Sequence, residues 1–141
     1  MRFTFKELDP AVYNALSSVE AYVRAATITG KHLIKVRASQ INGCAFCINM
    51  HAEEALKDGE TAQRIFLVSA WRETDIFTEE ERILLAMTEE ITLISVAGLT
   101  DATYEHAVNA FGPAGTAAAI MTIISINNWN RMVLSGHMPI H

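Results

Sequence analysis

The 141 residues predict an all-α fold of six or seven helices. Three observations carry that expectation. Apolar residues recur at three- and four-residue intervals through the long segments. Helix-start chemistry stands ahead of several of them. No run shows the strict apolar–polar alternation of a half-buried strand.

The elements follow in order. Asp9-Pro10 supplies an N-cap and a proline at the first turn, where a missing N–H costs nothing. Val12, Leu16, Val19 and Val23 then mark one face up to about Thr27. Gly30 punctuates, and a second helix carries Leu33, Ile34, Val36 and Ala38. Ser39-Gln40-Ile41-Asn42-Gly43 is expected to interrupt the pattern, with Asn42 as cap of a third helix from about Gly43 to Asp58. Gly59 would close that helix in the left-handed conformation. Thr61 can open another, bearing Ile65, Phe66, Val68 and Trp71. Thr78-Glu79-Glu80-Glu81 matches a capping box, followed by Ile83, Leu84, Met87, Ile91 and Ile94 on one face. Thr100 can start a helix ending at Phe111-Gly112, and a last long helix runs from Pro113 to Leu134. His137 and His141 fall in a short tail around Pro139 with no evident chemistry.

Length and the absence of a linker or repeat predict a single domain over residues 1–141. The net charge of −5, without a basic cluster, argues against nucleic acid as a partner. The most apolar stretch, 117–126, is half the ~20 residues that a bilayer span needs, so no membrane partner is expected. The opening Met1–Glu7 lacks the apolar centre of a signal peptide, and a cytoplasmic location is the expectation. Ala117, Ile120, Met121, Ile124 and their neighbours make the last helix apolar on more than one face. Such a helix needs cover all round, which a homo-oligomer would supply.

The chemistry concentrates in Cys44-Ala45-Phe46-Cys47-Ile48-Asn49-Met50-His51. On a helix, spacings of three and four put Cys44, Cys47 and His51 on one face. Two thiols one turn apart suit dithiol redox chemistry, with an imidazole one turn further to take a proton. A helix N-terminus adds N–H groups and a dipole that favour thiolate. Other readings stand beside this one. Both cysteines could be small buried apolar residues. A zinc site lacks a fourth ligand, because His32, His106, His137 and His141 show no ligand-pair spacing. Covalent haem attachment would need His where Ile48 stands. No cofactor or metal is therefore expected. Trp71 and Trp129 read as core or interface aromatics, and Arg72-Glu73 as a surface ion pair.

The run Val36-Arg37-Ala38-Ser39-Gln40-Ile41-Asn42-Gly43-Cys44-Ala45-Phe46-Cys47-Ile48-Asn49-Met50-His51 resembles the signature of the carboxymuconolactone decarboxylase and alkylhydroperoxidase D superfamily. Ala70–Glu73, Phe77–Arg82 and Asn127–Arg131 also resemble its small single-domain members, so the similarity spans about Val19 to Leu134. The resemblance implies an alkylhydroperoxidase D-like helical fold assembled as a trimer or hexamer. It also implies a thiol peroxidase acting on hydrogen peroxide or small organic hydroperoxides. Cys47 would then be the attacking thiolate, Cys44 the resolving thiol and His51 the proton acceptor, with an external dithiol reductant as partner. The lactone decarboxylases of the superfamily generally lack the cysteine pair.

Two positions depart from that pattern. The peroxidase members carry a glutamate twelve residues before the first cysteine, where this chain has His32, and can carry a histidine where it has Phe46. An imidazole cannot supply a carboxylate's charge. Glu54, sharing a face with Cys47 and His51, is the local candidate to stand in, against its plain reading as a solvated residue beside Lys57. Two alternatives follow: a decarboxylase- or isomerase-like enzyme using His51 and His32 as acid and base, or a non-catalytic redox sensor.

Overall fold

The computed structural model describes residues 1–140; the tail position His141 lies outside them. Among the described residues there are seven α-helices, one 3₁₀ segment and no strand. The helices are α1 (Phe5–Leu8), α2 (Pro10–Ala25), α3 (Lys31–Asn42), α4 (Ala45–Lys57), α5 (Ala62–Leu67), α6 (Glu79–Thr92) and α7 (Asp101–Gly136), with the 3₁₀ segment at Val68–Glu73.

Four of the expected starts are made by the side chains that signalled them. Asp9 accepts from the Val12 N–H, Thr61 from Arg64 and Thr100 from Thr103. Thr78 and Glu81 form both bonds of the capping box. The short α1 has no apolar periodicity to announce it; Thr4 donates to the Glu7 carboxylate there.

Helix α3 is the centre of the molecule. Ile34 and Ala38 face Leu84, Met87, Ala119, Ile123 and Ile126 of α6 and α7. Leu33 and Val36 face Val68, Trp71, Phe77 and Leu85 on the other side. Each such aliphatic side chain contributes about 1.5–3 kcal/mol by leaving water. A helix buried on two faces has little use for amphipathic periodicity, which is why its extent is hard to read.

Two local expectations are corrected. Ser39 to Asn42 do not interrupt the helix; α3 runs through Asn42, and the buried Ser39 hydroxyl donates to the Lys35 carbonyl. Asn42 does not cap α4. Its amide donates to Asn127 Oδ1 and Asn130 Oδ1, both at 2.9 Å, and Asn130 donates in turn to Ser39. Tertiary partners on α7 outcompete the local cap.

Helix α7 contains the expected break. Gly112 sits at φ 71°, ψ 172°, outside the helical region, and kinks the 36-residue element just before Pro113. By length and composition α7 could cross a membrane. Its inward polar side chains nevertheless join it to the other helices: Ser125 to Glu20, Asn127 to Thr92 and Asn130 to Ser39. Trp71 is buried and donates to Glu89, so the core reading of that ring holds. Arg72 pairs with Glu89 rather than Glu73 and lies over the Trp71 ring at 4.0 Å.

Candidate active site

The site is built on the α3–α4 junction. Gly43 adopts φ 69°, the left-handed conformation that ends α3. The Gly43 N–H then reaches the Gln40 carbonyl and the Cys44 N–H reaches that of Ser39. This pair of bonds is a Schellman closure. It leaves Cys44 as the residue that both follows α3 and caps α4. Cys47 lies in the first turn of α4, and the first backbone bond of that turn is Ile48 N–H to Cys44 C=O.

Cys44 and Cys47 are disulfide-bonded, with Cα atoms 5.3 Å apart. Both are buried, at 0% and 1% exposure, and His51 one turn on is 4% exposed. Of the sequence-predicted trio, Cys47 and His51 lie one turn apart on α4, and Cys44 at its N-cap joins them through the disulfide.

His51 Nδ1 lies 2.9 Å from Glu54 Oε2. An ionised carboxylate only accepts, so Nδ1 carries the proton and Nε2 keeps its lone pair. Burial pushes the His51 pKa below its ordinary value, against the Glu54 hydrogen bond and charge that raise it. The lowered pKa favours the neutral ring, the state that can accept a proton. Burial alone would raise the Glu54 pKa; the His51 hydrogen bond and the nearby charges of Arg24 and Lys35 act against it, and the carboxyl lies below its usual range.

His32, by contrast, points to the other end of α4. Its Nε2 lies 2.6 Å from Asp58 Oδ2, at a residue two turns beyond His51, roughly 10 Å along the axis. His32 is absent from the cavity wall described below. The carboxylate on His51 is Glu54, from its own helix.

Several charged groups here were not apparent in sequence. Glu20 of α2 accepts from the buried Lys35 at 2.7 Å and from Ser125 at 2.9 Å. Arg24 lies 3.3 Å from Glu20 and 3.7 Å from Glu54. An alternating chain of charge thus joins Lys35, Glu20, Arg24 and Glu54, and ends on the His51 ring. Burial would raise the Glu20 pKa, but Lys35, Ser125 and Arg24 together hold it below the usual value. The available signal was positional, since Glu20 flanks the apolar Leu16, Val19 and Val23 face of α2.

A cavity of about 540 Å³ opens beside Cys47 and His51. Phe46 and Met50 line it from α4, Tyr13, Glu20 and Arg24 from α2, and Trp129, Met132 and Val133 from α7. The Tyr13 and Trp129 rings meet edge to face at 5.6 Å. Cys47 lies in this wall and Cys44 does not. Among the described residues no group of three His, Cys, Asp or Glu side chains is placed to hold a metal ion. The arrangement can form a thiolate at Cys47, accept its proton at His51 and hold an apolar reactant next to both.

Comparison with known proteins places the chain beside a family, a relative and a solved structure. The model of the carboxymuconolactone decarboxylase family matches residues 10–90. The uncharacterized protein YdfG of Bacillus subtilis (strain 168) is 37% identical over 136 residues, covering 95% of this chain and 92% of that protein. The crystal structure of ATU0492 from Agrobacterium tumefaciens superposes with a TM-score of 0.93 at 35% identity, over 99% of both chains. That structure is described as a protein of unknown function, provisionally an antioxidant defence protein AhpD.

Proposed function

The chain belongs to the carboxymuconolactone decarboxylase family, and we propose that it is a thiol-dependent peroxidase reducing hydroperoxides through a Cys44–Cys47 dithiol cycle. The observation that carries this reading is the placement of Cys47: disulfide-bonded to Cys44, one turn from a buried His51 that is bonded to Glu54, and in the wall of a largely apolar cavity. The AhpD-like assignment of ATU0492 adds support.

In the reduced protein, His51 Nε2 takes the Cys47 proton, and the dipole of α4 favours the thiolate. The sulfur attacks one hydroperoxide oxygen and the O–O bond breaks. The departing alkoxide takes a proton from the imidazolium and leaves as alcohol or water. Cys47 is then a sulfenic acid. The Cys44 sulfur attacks it, water departs, and the disulfide forms. Two electrons have passed from the thiols to the peroxide, and an external dithiol restores them. Glu54 is a positioning residue, fixing the His51 tautomer.

The reading includes a reducing compartment, the cytoplasm, as the source of that dithiol, and a homo-oligomer, trimer or hexamer. Exposed Ile124 and Leu134 on α7, with Leu93, Ile94 and Val96 after α6, offer apolar surface for subunit contact.

Steady-state consumption of hydroperoxide with a dithiol reductant tests the function. Wild type should turn over many times, while Cys44→Ser and Cys47→Ser should not. Turnover that survives Cys47→Ser would exclude the mechanism.

A further inference from the structure

Part of the cavity wall comes from a segment that the cycle itself does not use. Phe3, Thr4, Phe5 and Lys6 line the cavity together with residues of α2, α4 and α7. The Phe3 and Phe5 rings pack edge to face at 5.3 Å. This segment is held against the end of α7. The Arg2 N–H donates to the Gly136 carbonyl at 2.8 Å. Gly136 is buried, and a Cβ placed there would lie 2.5 Å from the Phe3 carbonyl oxygen. Any side chain at 136 therefore has to push the Phe3 backbone away.

The cavity is some tens of times larger than the ~10–15 Å³ that holds one water, a molecule hardly smaller than hydrogen peroxide. It falls within the ~300–1,000 Å³ typical of sites for small organic ligands. We propose that the Phe3–Lys6 segment, clamped on Gly136, is a specificity wall that makes the cavity beside Cys47 select a hydroperoxide with a compact apolar body, aryl or branched alkyl, over hydrogen peroxide. The inference rests on the peroxidase reading for the reacting end of that molecule, but the affinity of the wall is measurable without turnover.

The probe is 2-phenyl-2-propanol, the alcohol that reduction of cumene hydroperoxide leaves. It is titrated into the oxidised, disulfide-bonded protein and followed by NMR. Wild type should bind it, and Gly136→Ala and Phe5→Ala should each weaken binding roughly tenfold, as expected for losing part of a buried aromatic contact. The ratio of kcat/KM for cumene hydroperoxide to that for hydrogen peroxide should fall by a similar factor. Phe5→Ala keeps the test open if Gly136→Ala does not fold, with helical content by circular dichroism as the control. Absence of binding in wild type, or equal affinity in a folded variant, overturns the wall. Absence of turnover on both peroxides overturns the peroxidase reading instead, and leaves the binding result to decide the wall.

Discussion

Glu54 Oε2 stands 2.9 Å from His51 Nδ1, one turn along the same helix, and so aims the other imidazole nitrogen away from the carboxylate. Helix α4 and its N-cap Cys44 thereby carry both sulfurs, the base and the group that orients the base.

Replacing Glu54 with Gln keeps the size and removes the charge. The Glu54 hydrogen bond and charge raise the His51 pKa, so their loss lowers it. The acid limb of the kcat/KM profile should move to lower pH, and the plateau should fall because the weaker base takes the Cys47 proton less readily. A pH–rate series on wild type and Glu54→Gln checks this. An unmoved limb would place the charge elsewhere.

His51→Ala should lower kcat/KM for hydroperoxide by roughly 10²-fold or more, the usual contribution of a positioned acid–base group. The two thiols should still form a disulfide slowly when peroxide is in excess. Rapid-mixing measurements of Cys47 oxidation separate these effects.

His32→Ala should leave turnover within about twofold, because His32 bonds Asp58 rather than His51. His32→Glu should not raise turnover either; it would set a second carboxylate against Asp58 and lower the melting temperature. A gain in kcat for His32→Glu would show that this position feeds the relay after all.

Acid should destabilise the fold in two steps. His51 has a folded-state pKa below its unfolded value near 6.5, so the unfolded chain binds the extra proton and stability begins to fall as pH drops through that value. Glu20 and Glu54 also have lowered pKa values, so the stability they add is full above about 4.5 and is lost as pH falls through their folded values. Thermal melts from pH 8 to 3 should show both phases, and His51→Gln should remove the first.

Much of this was legible in the chain, for identifiable reasons. Thr61, Thr78 and Thr100 act locally, and local capping chemistry is readable from neighbours alone. The trio Cys44, Cys47 and His51 was readable because one helix and its N-cap carry it at fixed spacing. Glu20 and Lys35 were not, since each looks like a surface charge until the packing of α2 on α3 and α7 buries the pair. Asn42 was misread for the same reason: its partners lie 85 and 88 residues away. Phe3 and Phe5 join the site only because α7 ends beside them.

The central claim is the dithiol cycle, and a free-thiol count tests it most directly. The fully reduced protein is treated with one equivalent of hydroperoxide and titrated, beside Cys44→Ser and Cys47→Ser. The account predicts that wild type loses both thiols to an internal disulfide, that Cys44→Ser loses one and traps as a sulfenic acid at Cys47, and that Cys47→Ser keeps its thiol. Wild-type thiols that survive, or a Cys47→Ser variant that oxidises as fast as wild type, would contradict it.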